Sequence, residues 1–377
     1  MSKQILVAFL VLGVLATSNA FASRARQLVM GTGDASTTLN GGSLYYDETY
    51  NIFYNPSYVN NYKNWAIIEK SNFSGTAGIG TTAQGGFSTS IMNFETAFYF
   101  NRGNAVFNNP NSAFGTAPTG YVSATPVRPF DLFVGGDVGF KWGLGLTYGS
   151  NATTAGTSPV SGGALASANS TDLTMHLGAQ VADLEPFLSY KLSGKETTTA
   201  GDATHNFMRV GTRYHVGDWT PYAALTTWKD QAVGAGSAAI QETTYGAGLG
   251  RSMKLTEGLH MHYAASLWRL SDTGGTVERK RTILPLDFSV EGEATSWLTL
   301  RGGVGYRLAD RLSGSGAGTV GDMTTGRIGA SVHVSKVDVD WAIGKAAGTA
   351  EAAADANTQS FDISNNFFTA ASVAYRW

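Results

Sequence analysis

The sequence predicts an all-β fold, a transmembrane antiparallel up-and-down β-barrel of about sixteen strands. Three observations lead there. Apolar and polar residues alternate with a period of two in segments of about ten residues, the length a tilted strand needs to cross a bilayer. Short and long joints take turns along the chain, as they do when tight turns lie on one side of a membrane and longer loops on the other. After residue 22 no apolar run reaches the roughly 18 residues of a spanning helix, so a chain that enters a bilayer must do so as a closed ring with every backbone group paired.

The first residues set the expected compartment. Lys3, the apolar run Ile5 to Ala16 and then Ala20-Phe21-Ala22 have the layout of an export signal, so residues 1–22 are expected to be a cleaved signal peptide and the mature chain to start at Ser23. The chain has no cysteine, which excludes disulfides and an acylated lipobox Cys. A net charge of −2 leaves no basic field to hold nucleic acid. The 47 glycines and the many Ser, Thr and Asn are interrupted throughout by aromatic and aliphatic residues, unlike a disordered tract.

Strands are expected near 64–70, 83–92, 95–102, 130–138, 140–149, 170–182, 186–194, 206–216, 219–228, 243–254, 258–270, 282–294, 297–308, 325–334, 337–344 and 367–377. The first three are weakly patterned and the last twelve strongly, so the count is sixteen or fourteen. From Leu173 to Val181, Leu173, Met175, Leu177, Ala179 and Val181 oppose Thr174, His176, Gly178 and Gln180. From Met208 to Val216 the polar face is Arg209, Gly211, Arg213 and His215. From Leu284 to Ala294 the even residues are the apolar ones, and the same holds from Leu298 to Leu308. A helix would need apolar residues three and four apart, which none of these segments has. Tight joints are expected near Gly139, Asp183 to Glu185, Gly217-Asp218, Thr256 to Gly258, Thr295 to Trp297 and Ser335-Lys336, and long polar joints lie between them. A three-residue turn at Thr295 to Trp297 pairs Ala294 with Leu298, Glu293 with Thr299 and Glu291 with Arg301. The turn at Ser335-Lys336 sets His333 opposite Asp338 and Ser331 opposite Asp340.

The last strand carries Val373, Tyr375 and Trp377 on one face. This resembles the C-terminal signal read by the barrel assembly machinery, and these three residues are expected to serve it. In size, hairpin rhythm and C-terminus, residues 64–377 resemble a Gram-negative general porin. That resemblance implies an outer-membrane channel for passive diffusion of ions and small hydrophilic solutes, with a homotrimer as an expected assembly. An acidic loop folded into the lumen is common in such porins, whereas Gly149 to Asn169 carries no acid. A second resemblance precedes the barrel: Arg26, Met30-Gly31-Thr32-Gly33-Asp34-Ala35 and Tyr54-Asn55-Pro56-Ser57 are similar to the N-terminal region of long-chain fatty-acid transporter-like barrels, with Ser57 in place of an Ala. That family would place residues 23–63, with Asn55 and Pro56, inside the barrel as a hatch; the other reading is a periplasmic lead-in. A hydrophobic-substrate channel of that type, or a structural or adhesive barrel, is the alternative function.

Within the barrel the inward charges are the candidate pore lining: Lys141, Lys191, Arg209, Arg213, Arg301, Arg307 and Arg327 against Asp287, Glu291, Glu293, Asp338 and Asp340. Charges on an inner face are expected where water fills a lumen. Opposite signs across neighbouring strands predict weak, slightly anion-preferring selectivity. No Ser-His or paired-acid constellation stands out, so no enzymatic activity and no cofactor are expected. The six histidines are scattered, apart from His260 and His262 on one strand face without further ligands, and no metal site is expected. The glycines at 143, 145, 246, 248, 303 and 305 stand between no strand and helix, and are expected to be small inward positions rather than a phosphate cradle. Lipid is the expected partner of the outward aromatics.

Overall fold

The computed structural model describes residues 23–32, 42–73, 83–102, 127–153, 156–157, 164–165, 168–198, 201–233, 239–274, 277–314, 323–348 and 367–377. The expected signal peptide lies outside these residues. The strands are β1 (Trp65–Phe73), β2 (Gln84–Ile91), β3 (Phe94–Phe100), β4 (Val127–Asp137), β5 (Lys141–Thr153), β6 (Gly156–Thr157), β7 (Ala164–Leu165), β8 (Ala168–Gln180) and β9 (Leu184–Thr198). They continue with β10 (Gly201–Tyr214), β11 (Trp219–Val233), β12 (Ile240–Thr256), β13 (Leu259–Gly274), β14 (Val277–Thr295), β15 (Leu298–Gly314), β16 (Met323–Val334), β17 (Val337–Gly348) and β18 (Phe367–Arg376). Sixteen of them form one closed antiparallel ring, in which β1 pairs with β18, while β6 and β7 form a separate two-stranded hairpin. Among the described residues no helix is long and apolar enough to cross a membrane.

Alternation decides which face each residue takes. Leu300, Val304, Ile328 and Val373 are about half exposed on the outer face, whereas Thr299, Arg301, Ser331 and Ser372 on the opposite parity are buried. Both sequence-derived registers hold at their charged positions: Glu291 faces Arg301 and Glu293 faces Thr299, and His333 and Ser331 face Asp338 and Asp340. One pair differs. Leu298 is paired with Thr295 rather than Ala294, because an irregularity between Glu293 and Thr295 takes Ala294 out of the ladder and shortens the turn.

Several joints expected as long polar loops continue as ladder. β9 and β10 run on to Thr198 and from Gly201, with Thr197 opposite Asp202 and Lys195 opposite Thr204. β13 and β14 likewise extend to Gly274 and from Val277. Loss of the apolar face marks where a strand leaves an apolar surrounding, not where its backbone stops pairing, so polar composition alone placed these strand ends too early.

The N-terminal segment forms its own small elements within the ring. Helix α1 (Arg24–Met30) starts at Ser23, whose hydroxyl accepts from the Arg26 amide at 3.1 Å, and stops at Gly31, which takes φ +85°. A 3₁₀ turn covers Thr49–Phe53 and a second covers Pro56–Asn60. The second is built by Asn55-Pro56-Ser57: Pro56 supplies a fixed φ at the first helical position, and the Asn55 side chain accepts from Ser57 N at 3.2 Å and Ser57 Oγ at 2.6 Å. Helix α1 packs against β14 to β18 and β1, while Pro56–Asn60 packs against β3, β4, β5 and β8 on the other side. The chain then runs along the short-turn rim, where Lys141 donates to Asn61 at 2.7 Å and Lys63 pairs with Glu95 at 2.6 Å, and enters β1.

Candidate functional site

The inward charges converge on the N-terminal segment. Arg26 reaches Glu291 on β14 through Nε at 2.8 Å and its second terminal nitrogen at 3.1 Å. Arg301, the cross-strand partner of Glu291, donates to the same carboxylate and also to Ser331 and Asp340. One acid is thus held between a guanidinium of the wall and one of the segment, and both arginines are buried. Such forked, charge-assisted pairs are the strongest hydrogen bonds of their class, and their geometry fixes α1 against the wall.

A second anchor lies on the far side. Arg213 of β10 is fully buried and donates to the hydroxyls of Tyr54 and Tyr58 at 2.7 and 2.9 Å and to Asp47 at 2.8 Å, with Glu185 of β9 at 3.5 Å. The Tyr58 hydroxyl lies 2.8 Å from both Asp47 and Glu185. A third anchor is Glu69 of β1, which accepts from the hydroxyls of Tyr50 and Tyr99 and from the Arg24 amide at 2.7 Å. Glu48, in the segment itself, is fully buried with the Arg26 guanidinium only within 4.0 Å. Burial pushes its carboxyl up to about 8, an effect that Arg26 offsets only in part.

Close backbone approach completes the fit. A Cβ on Gly143 would lie 2.2 Å from the Pro56 carbonyl carbon, and one on Gly303 would lie 2.1 Å from the Val29 carbonyl oxygen. Inward glycines therefore leave grooves that the segment occupies. Apolar contacts seal it: Met30, Leu44, Tyr45 and Tyr54 pack with Phe187, Tyr222 and Trp268 of the wall, and Tyr50, Ile52, Phe53 and Val59 pack with Trp65, Ile67, Tyr99 and Phe133. Between these last groups remains a cavity of about 10 Å³ lined by Thr49, Tyr50, Ile52, Phe53, Trp65, Ile67 and Tyr99. That is no more than one water's worth of space.

The other residues singled out in the sequence are distributed as follows. Lys191 pairs with Asp172 at 2.7 Å, Arg209 lies over the Phe187 ring, and Arg327 pairs with Asp287 at 2.8 Å beside Gly31. Asp338 is held by His333 at 2.6 Å and by Arg376. Arg307 is half-buried on β15 and Glu293 is exposed near the rim. Val373, Tyr375 and Trp377 are exposed on the outer face, the two rings stacked with centroids 6.1 Å apart. The wall was expected to face open water. Instead Lys191, Arg213, Glu291, Arg301, Asp338 and Asp340 are all nearly inaccessible, because each is enclosed by a neighbouring strand or by the segment.

From the segment the sequence singles out Arg26, Asn55 and Pro56 through a resemblance, but its tyrosine stripe went unused. Tyr46, Tyr50, Tyr54, Tyr58 and Tyr62 recur every four positions, a stripe that marks a packed segment. Asp47 was passed over as well, and Glu185 and His215 were read only as a turn residue and a polar-face residue, although the ligand atoms of the three all lie within 4.8 Å of one another. They are far apart in sequence and come together only across the junction of segment and wall. His262, of the pair considered above, is instead bound to Ser252 at 2.7 Å and packs against Tyr46.

No protein-family model and no curated protein matches the chain. Solved structures similar to it include the outer-membrane expressed OmpT of Vibrio cholerae, with 11% identity over 83% of this chain and 97% of that one and a TM-score of 0.45. A FadL homologue of Pseudomonas aeruginosa shares 12% identity over 92% and 98%, with a TM-score of 0.45. CdiB from Escherichia coli shares 12% over 83% and 63%, with a TM-score of 0.47.

Proposed function

We propose that this protein is an outer-membrane channel closed by its own N-terminal segment, which acts as a hatch over a polar path for small hydrophilic solutes and ions. The observation that carries this reading is the use of wall charges as hatch anchors: Glu291 and Arg213 bind Arg26 and Asp47 rather than each other's neighbours alone. A purely structural barrel filled for stability would be better served by apolar packing, since isolated buried ion pairs add little net stability. Paired charges give instead a contact that can separate and be rehydrated on both sides. The outward apolar band supports a place in lipid, and Val373, Tyr375 and Trp377 suit recognition by the barrel assembly machinery. A homotrimer, with outward faces in contact, completes the proposed assembly.

This reading takes the channel to be closed at rest, where the inward charges alone suggest an open diffusion pore; the burial of Glu291 and Arg213 against the segment supports it. A fatty-acid-type route has one observation in its favour, the apolar cavity beside β1 and β3, but at about 10 Å³ it holds no acyl chain. The test is single-channel conductance of the purified chain in planar bilayers. The wild type is expected to be mostly closed and a variant lacking residues 24–62 to conduct steadily. Equal conductance in the two would count against a hatch, and uptake of apolar solutes alone would favour the second route.

A further inference from the structure

We propose that Asp47, Glu185 and His215 bind one divalent transition-metal ion of the Zn²⁺ class and so tie the N-terminal segment to the short-turn rim of the barrel.

The three donors come from three places. Asp47 lies in the segment just before the first 3₁₀ turn, Glu185 is the second residue of β9, and His215 follows the end of β10. The wall pair is pre-set by the ladder, since Glu185 faces Arg213 two residues before His215 and the His215 amide donates to the Asp183 carbonyl at 2.9 Å. His215 Nε2 already lies 3.0 Å from Glu185 Oε1. Donors around one tetrahedral ion at about 2.0–2.1 Å stand roughly 3.4 Å apart. A cluster within 4.8 Å reaches that spacing by small side-chain rotations, for which the half-exposed Asp47 and the part-exposed His215 have room on their solvent side.

Charge and surroundings favour the ion. Two carboxylates and the Arg213 guanidinium sum to −1 with His215 neutral, so a cation is attracted even beside the arginine. Arg213 and Tyr58 hold the two carboxylates as outer partners, the role that orients ligands in metal sites: Arg213 and Tyr58 meet Asp47 through its Oδ1. One imidazole with two carboxylates suits Zn²⁺ and its neighbours better than Mg²⁺ or Ca²⁺, which prefer all-oxygen shells. The exposure of Asp47 and His215 at the rim gives the entry path such a site requires.

The inference uses the packing of the segment and not its movement, so it stands or falls separately from the hatch. Full-length protein folded in detergent and freed of metal by a chelator would be titrated with Zn²⁺ by calorimetry, with Co²⁺ absorption as a second reading of the ligand set. One saturable site per chain is expected, weakened roughly tenfold or more by Asp47→Asn and by His215→Gln, with both variants keeping the heat-modifiable mobility of a folded barrel. The proposal is overturned if the wild type shows no saturable site, or if Asp47→Asn binds as tightly as wild type, which would place the ion on the wall alone.

Discussion

Arg26 and Glu291 meet through two parallel hydrogen bonds of 2.8 and 3.1 Å, although 265 positions separate them in the chain. Glu291→Gln keeps the shape and removes the charge, leaving two buried guanidinium groups, Arg26 and Arg301, without their shared anion. Hydrogen bonds to charged groups contribute about 1.5–3 kcal/mol each. The hatch equilibrium is therefore expected to shift toward opening by at least tenfold, read as open probability in planar bilayers, with barrel assembly intact. An unchanged open probability would show that Glu291 anchors nothing that moves.

Gly303→Val tests steric fit instead of charge. A Cβ there meets the Val29 carbonyl oxygen at 2.1 Å, so α1 has to shift or leave, whereas Gly302, one position along, has open space around it. Gly303→Val is expected to raise conductance and Gly302→Ala to leave it as in wild type. Similar behaviour of both variants would remove α1 from the path.

The pH dependence follows from Glu48, whose carboxyl is pushed up to about 8 by burial in the docked segment. In an undocked, hydrated segment it returns toward the usual value near 4.3. Between those values the docked form binds one more proton than the undocked form, so docking weakens as pH rises through that window and levels off above about 8. Open probability is expected to climb from pH 5 to 8, and Glu48→Gln to flatten the climb. A slope equally steep in Glu48→Gln would assign it to another group.

Val304, about half exposed on the outer face of β15, supplies the stability control. Val304→Arg is expected to destabilise the barrel by about 2–4 kcal/mol if it lies near the bilayer midplane, measured by denaturant unfolding in lipid, without altering selectivity. Deleting Trp377 is expected to stall assembly, seen as loss of heat-modifiable protein from the membrane fraction.

Strand number, faces and the registers at Glu291–Arg301 and His333–Asp338 were legible because a period of two ties each side chain to one face, and a slip by one residue would turn every apolar group inward. Ala294 was misplaced since a bulge leaves no mark in alternation. The candidate site was half legible. Inward charges were visible one strand at a time, but whether they face water or a bound segment depends on residues such as Arg26 and Asp47, 265 positions from Glu291 and 166 from Arg213. Alternation reports on neighbours in a ladder and carries nothing about what fills the ring.

The closing seam has a consequence for how the molecule comes into being. Among the described residues β1 is paired with β18 at nine positions, from Trp65 with Arg376 to Phe73 with Phe368, and with its own neighbour β2 from Trp65 with Ser88 to Glu69 with Gln84. One whole edge of the first strand of the ring therefore waits for partners on β18, about 300 positions later in the chain. Contacts of such long sequence separation form slowly. Until they form, both edges remain open to foreign strands, and that interval is when a chaperone has the most to shield.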